Sequence, residues 1–112
     1  MKKTKSMKLN KDFKRLYYRG KSVVKSNVVV YVLKNREKTN RLGLTCGKSI
    51  GKAVRRNRVK RLMREGYRLL EDRLSEGFDI VLVARTRSVS CKEKHILKDL
   101  ETAFDSLGIL EK

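Results

Sequence analysis

Short apolar runs separated by polar intervals divide the chain into helices and strands by their periods. Leu9, Phe13, Leu16 and Tyr17 recur every three or four residues, which predicts a short amphipathic helix between Asn10 as N-cap and Gly20 just beyond its end. Lys11, Lys14, Arg15 and Arg19 fall on its polar side. A polar connection follows, with room for a short strand at 22–24. The run Val28, Val29, Val30, Tyr31, Val32 and Leu33 then reads as a strand apolar on both faces, and so central in a sheet. Alternation puts Tyr31 on the same face as Val29 and Leu33. After a polar turn over 34–40, a second strand over 41–47 points Leu42, Leu44 and Cys46 one way. Gly43, Thr45 and Gly47 point the other way, which predicts close approach on the glycine side.

The period then changes to that of a helix. Stepping about 100° per residue from Val59, Leu62, Met63, Tyr67, Leu69, Leu70 and Leu74 share one arc and predict a helix over 53–74. Gly66 lies on that arc at a cost of about 1 kcal/mol relative to alanine, and close packing against a strand would account for it. The apolar run 78–84 reads as a buried third strand. Because a helix separates it from the strand at 41–47, the two are expected to be parallel neighbours. Ser90 with Glu93 forms a capping-box pattern, and Ile96, Leu97, Leu100, Ala103, Phe104 and Leu107 give a final helix its core stripe, ended by Gly108. Together these elements predict an α+β fold, a two-layer αβββαβα sandwich with a four-stranded sheet. Residues 1–112 are expected to form a single domain, of which 1–8 read as a flexible basic tail.

Charge changes this picture from a scaffold to a binding protein. Thirty Lys and Arg against 12 Asp and Glu give a net charge of +18, far more than solubility asks of a small domain. Residues 1–73 hold 24 bases and 5 acids, while residues 74–112 hold 6 and 7, so the first part is expected to meet nucleic acid and the second mainly to support it. Lys48, Lys52, Arg55, Arg56, Arg58, Lys60, Arg61, Arg64 and Arg68 stand against a single acid, Glu65. Opposite the apolar arc lie Lys60, Arg61, Arg64 and Arg68, with Asn57 and Arg58 one turn earlier. A merely solvated helix face mixes signs, because like charges repel, so a polyanion is expected to complete this one. Arginine outnumbers lysine here, and its planar fork suits phosphate and guanine edges.

Other chemistries fit poorly. Gly47, Lys48 and Ser49 resemble the end of a phosphate-binding loop, but position 42 is leucine where that motif needs glycine. Cys46 and Cys91 have no zinc spacing and read as reduced thiols of a cytoplasmic protein, since neither a signal peptide nor a membrane-length apolar run is present. A membrane-surface role would call for inserting aromatics or an acylation site, and neither is evident.

The segment Lys48, Ser49, Ile50, Gly51, Ala53, Val54, Arg56, Asn57, Arg58, Lys60, Arg61, Arg64 and Glu65 resembles the signature of the bacterial ribonuclease P protein subunit, whose RNR motif would be Arg56, Asn57 and Arg58. The resemblance implies the ribosomal protein S5 domain 2-like fold, with a left-handed βαβ crossover where right-handed ones are the rule. It implies that Lys48, Lys52, Arg56, Asn57, Arg58, Lys60, Arg61, Arg64 and Arg68 bind the catalytic RNA of ribonuclease P. It also implies a cleft, bordered by Phe13, Tyr17 and Tyr31, for the single-stranded 5′ leader of precursor tRNA. Aromatic faces suit that role because any base stacks on them. Tyr17 and Tyr18 remain interchangeable there.

In such an enzyme the RNA hydrolyses the phosphodiester between leader and mature tRNA, using Mg²⁺ bound mainly by the RNA. The resemblance implies no catalytic side chain, protein metal ligand or organic cofactor, and no DNA or membrane partner. A ribosomal or ribosome-assembly RNA-binding protein fits composition and fold equally well, and only the RNR segment and the aromatics separate the two. A free-standing nuclease would need converging carboxylates or a histidine acid and base. Glu65 and Asp72 lie seven apart, His95 stands alone, and Cys46 has no neighbouring base in sequence.

Overall fold

A computed structural model describes residues 3–111. In chain order the elements are β1 (Thr4–Ser6), α1 (Asn10–Arg19), β2 (Lys21–Val24), β3 (Val28–Lys34), β4 (Asn40–Thr45), α2 (Ala53–Leu70), β5 (Phe78–Ala84) and α3 (Glu93–Ser106). The strands form one mixed sheet in the order β1-β4-β5-β3-β2. β4 and β5 are parallel neighbours joined through α2, as the intervening helix requires, and β3 runs antiparallel to both β5 and β2. The α+β class is as expected, but the sheet has five strands instead of four.

The extra strand comes from the segment read as a tail. Met1 and Lys2 lie outside the described residues, but Thr4–Ser6 pair in parallel with β4, from Thr4 opposite Asn40 to Ser6 opposite Leu42. The Thr4 and Tyr67 hydroxyls are 2.7 Å apart, the Lys3 ammonium is 3.3 Å from the Asp72 carboxylate, and Met7 is buried. Three polar residues carry no periodic signal. Backbone pairing and the contacts of their neighbours hold them, and both depend on tertiary structure.

One face of the sheet carries the larger core. Val30 and Val32 of β3 and Ile80 and Leu82 of β5 pack there against Val59, Met63 and Tyr67 of α2 and Ile96, Leu100 and Phe104 of α3. The Tyr67 and Phe104 rings meet edge to face with centroids 6.3 Å apart. A Cβ on Gly66 would lie 2.9 Å from Leu100 Cδ1 and 3.3 Å from Ile96 Cγ2. The glycine therefore serves the crossing of α2 with α3, and not contact with a strand. α2 stops at Leu70, shorter than expected, and a 3₁₀ turn over Glu71–Arg73 carries the chain to buried Leu74. Leu69, at the margin of the apolar arc, is exposed. Ser90 does not cap α3: it ends a 3₁₀ turn, and His95 Nδ1 instead accepts the Lys92 main-chain N–H at 3.0 Å.

The alternate side chains, Tyr31, Leu33, Val81 and Val83, face the other way, and α1 lies over them. Helices thus cover both faces, so the two-layer expectation describes only the α2 and α3 side. Leu16 is fully buried beneath α1, worth about 1.5–3 kcal/mol by transfer. Gly20 has an ordinary φ of −76°, but a Cβ there would come within 2.6 Å of the Leu16 carbonyl oxygen and 2.9 Å of that of Val32. Close backbone approach, not a left-handed turn, demands this glycine.

Candidate nucleic-acid interface

At the exit of β4 the chain makes a 3₁₀ turn over Lys48–Ile50. Ile50 is buried, and Gly51, at φ 118°, turns the backbone into α2. The turn leaves Lys48 and Lys52 exposed beside the first turn of the helix. Burial of Val59, Leu62, Met63, Tyr67 and Leu70 then fixes the rotation of α2, and with it the opposite face. Asn57, Arg61, Arg64 and Arg68 are exposed there, Arg55 is exposed in the first turn of the helix, and Arg56, Arg58 and Lys60 are half-buried. Lys60 and Arg64 border a recess of about 160 Å³ against Met7, Lys8 and Leu44. Among the described residues Arg55, Arg56, Arg61 and Arg64 form no ion pair.

Two members of the basic set have partners within the protein. Arg58 donates from Nη1 to the Val89 carbonyl at 3.2 Å and from Nη2 to the Cys91 carbonyl at 2.8 Å, tying α2 to the segment before α3. Arg68 donates from Nε to both carboxylate oxygens of Glu65, at 3.2 and 3.1 Å. This bond holds the Glu65 carboxyl below its usual range.

The three aromatics selected from sequence meet on the α1 face. The Tyr17 and Tyr31 rings are 5.0 Å apart at 70°, and the Tyr17 hydroxyl lies 3.1 Å from Thr45 Oγ1. Phe13 lies over Gly43, where an added Cβ would fall 2.6 Å from its ring, so the glycine side of β4 is indeed the side of close approach. Tyr17 is the residue over the sheet, whereas Tyr18 is 90% exposed and turned away. Thr45, which holds Tyr17, lies only three residues before Lys48. The aromatic face and the cationic turn therefore share the exit of β4.

Sequence reasoning missed the charge network that seats α1. Asp79, buried in β5, accepts from Arg41 Nε at 2.8 Å and Nη2 at 2.6 Å, from Arg15 Nη2 at 3.2 Å and from Asn35 Nδ2 at 2.9 Å. Buried Asp12 adds contacts of 3.2 Å to Arg15 and 3.6 Å to Arg41. Burial would raise the Asp79 pKa, but the hydrogen bonds from Arg41, Asn35 and Arg15 outweigh it and hold it below the usual carboxylate range. The available signal was an aspartate inside an apolar strand, since a buried carboxylate requires partners.

Asp12, Asp79 and Glu65 thus all face arginines, and Asp72 faces Lys3. Among the described residues no three His, Cys, Asp or Glu are placed to hold a metal ion. Burial raises the Cys46 thiol pKa despite the opposing charges of Lys60 and Arg56, leaving it a poor nucleophile. Among the described residues no helix is long and apolar enough to cross a membrane.

Comparison with known proteins bears on the family and the fold. The chain is 40% identical over 100 residues to the ribonuclease P protein component of Clostridioides difficile (strain 630), covering 88% of each. It is 44% identical over 106 residues to that of Clostridium botulinum (strain Langeland), covering 94% of this chain and 92% of the relative. The fold superimposes on the Staphylococcus aureus RNase P protein with a TM-score of 0.85 at 31% identity, over 95% of this chain and 97% of that one. For the Thermotoga maritima RNase P protein the TM-score is 0.79 at 30% identity, over 88% and 93%. The sequence profile of the family described as Ribonuclease P matches residues 1–108, and with a cationic helix, an aromatic sheet face and this fold in one chain, the protein belongs to the ribonuclease P protein family.

Proposed function

We propose that this protein acts within ribonuclease P, the endoribonuclease that matures the 5′ ends of tRNA, by holding the catalytic RNA on α2 and the substrate's leader on the α1 face. The observation that carries this division is the shared exit of β4. Tyr17 is tied to Thr45 there, and the basic set that leads into α2 begins at exposed Lys48. RNA strands on the two surfaces would converge at one edge of the sheet.

In this reading Lys48, Lys52, Arg56, Asn57, Lys60, Arg61, Arg64 and Arg68 contact phosphates and riboses of the catalytic RNA. Arg58 mainly positions the start of α2, because two of its donors are already engaged. Phe13, Tyr17 and Tyr31 stack with leader bases without reading their sequence. The protein supplies charge neutralisation and orientation. Hydrolysis and its Mg²⁺ are assigned to the RNA, since the acids nearest the interface are committed to arginines. The cytoplasm, where tRNA precursors are made in bacteria, is the expected location.

The test is cleavage of a 5′-extended precursor tRNA at low Mg²⁺ by a bacterial ribonuclease P RNA, with and without the protein, and by the protein alone. The expected result is cleavage at the mature 5′ end only when both are present. Tight RNA binding without stimulation would point instead to a ribosomal or assembly factor. Cleavage by the protein alone would contradict the assignment of chemistry to the RNA.

A further inference from the structure

The near-neutral balance of residues 74–112 conceals a separation of charge. Arg85, Arg87, Lys92, Lys94 and Lys98 gather over 85–98 with Glu93 as the one acid among them, whereas 99–111 contains Asp99, Glu101, Asp105 and Glu111 and no Lys or Arg. The fold sets the basic half around a recess of about 760 Å³ between the β2–β3 turn, the segment after β5, and α3. Lys25, Arg85, Arg87 and Lys98 line it, with hydroxyls from Ser26 and Thr86.

The acid in this lining, Asp99, is already occupied: its Oδ2 accepts the main-chain and side-chain N–H groups of Asn27, both at 3.0 Å. Arg85 is braced by donation from Nη1 to the Lys25 carbonyl at 2.7 Å. Arg87 and Lys98 form no ion pair among the described residues. An adjoining recess of about 370 Å³ shares Ser26, Arg87 and Lys98 with the first and extends to Cys91. The Cys91 carbonyl is one of the two to which Arg58 of α2 donates. Arg58 thus joins the start of α2 to the 89–91 segment, which borders the recess next to Arg87 and Lys98.

We propose that this recess is a second binding surface for backbone phosphates of the same RNA that occupies α2, with Arg87 and Lys98 as its principal contacts. The inference rests on the ribonuclease P reading above. The lining offers cations and hydroxyls but no aromatic ring, which suits phosphates and not bases. The RNA subunit is the occupant, because the recess joins α2 through Arg58 and is lined by α3, on the opposite side of the sheet from Phe13 and Tyr31.

The experiment is the salt dependence of binding to a transcribed bacterial ribonuclease P RNA, without substrate, for the wild type and for Arg87→Gln with Lys98→Gln. Lys11→Gln with Lys14→Gln, on α1, removes the same charge elsewhere. Two lost phosphate contacts should lower the slope of log K against log salt by about 1.4–1.8, and the α1 pair by less than about 0.5. Equal melting temperatures would tie the change to the interface. A wild-type slope in the recess variant, or an equal fall in the α1 pair, overturns the proposal. A wild type that fails to bind the RNA at all would overturn the ribonuclease P reading itself.

Discussion

The two faces of the sheet assign opposite roles to the same kinds of residue. On the α2 and α3 face, apolar side chains do the holding, with Tyr67, Met63, Phe104 and Leu100 fully buried, and most arginines of α2 form no ion pair among the described residues. On the α1 face the buried cluster is small, centred on Met7, Leu16 and Val81, and charges help with the holding through Asp12, Arg15, Arg41 and Asp79. The aromatics Phe13, Tyr17 and Tyr31 are left partly exposed there. Where apolar packing suffices for the fold, charge is free for a partner. Where charge seats the helix, aromatic surface is free for one.

The largest way to break this comparison is at Asp79. Asp79→Asn removes the charge facing Arg41 and Arg15, and should cost about 3 kcal/mol in urea unfolding at pH 7. The sign of its pH dependence follows from the depressed native pKa. The stabilisation is fully present above the unfolded aspartate pKa of about 3.9 and is lost as pH falls through the lower native value. The gap between wild type and variant should therefore narrow below about pH 4, and a gap independent of pH would dissociate the network from the stability of α1. Next in size, Phe13→Leu with Tyr31→Leu should weaken binding of leader-bearing precursor tRNA by about 1–3 kcal/mol per lost stacking contact, with leaderless tRNA unaffected. Equal loss on both substrates would count against leader binding by these aromatics.

Gly43→Ala sharpens the same point with one methyl group, which must displace the Phe13 ring. A destabilisation of about 1–3 kcal/mol together with a leader-specific defect is expected, and unchanged leader affinity would show that the position of Phe13 is unimportant. The smallest effect is expected at Arg58. Arg58→Ala frees the Val89 and Cys91 carbonyls to water, and should cost about 1 kcal/mol of stability while changing the salt slope less than loss of a neighbouring arginine.

Periodicity made most of the fold legible. β3, β4, β5, α1 and the cores of α2 and α3 each bury a patterned face, and the pattern is a local property of the chain. β1 was not legible, because Thr4–Ser6 owe their conformation to a partner strand and to Tyr67. Nor could chain order show which face of the sheet α1 covers. The cationic stripe and the aromatic trio were readable from spacing and family resemblance, whereas the choice of Tyr17 over Tyr18 needed the contact with Thr45. Arg58 reads like its basic neighbours until the carbonyls of Val89 and Cys91, more than 30 residues away, come into view. The recess beside α3 was hidden because charge counted over a long segment averages away what folding concentrates.

The central claim is that the outer arginines of α2 serve a partner and not the fold. Its most direct test combines RNA binding over a range of salt concentrations with thermal unfolding, for the wild type and for Arg56→Ala, Arg61→Ala and Arg64→Ala together. The account predicts a slope lower by about 2–3 on a bacterial ribonuclease P RNA and a stability changed by no more than about 0.5 kcal/mol per site. An unchanged slope, or a loss of stability large enough to explain weaker binding, would contradict it.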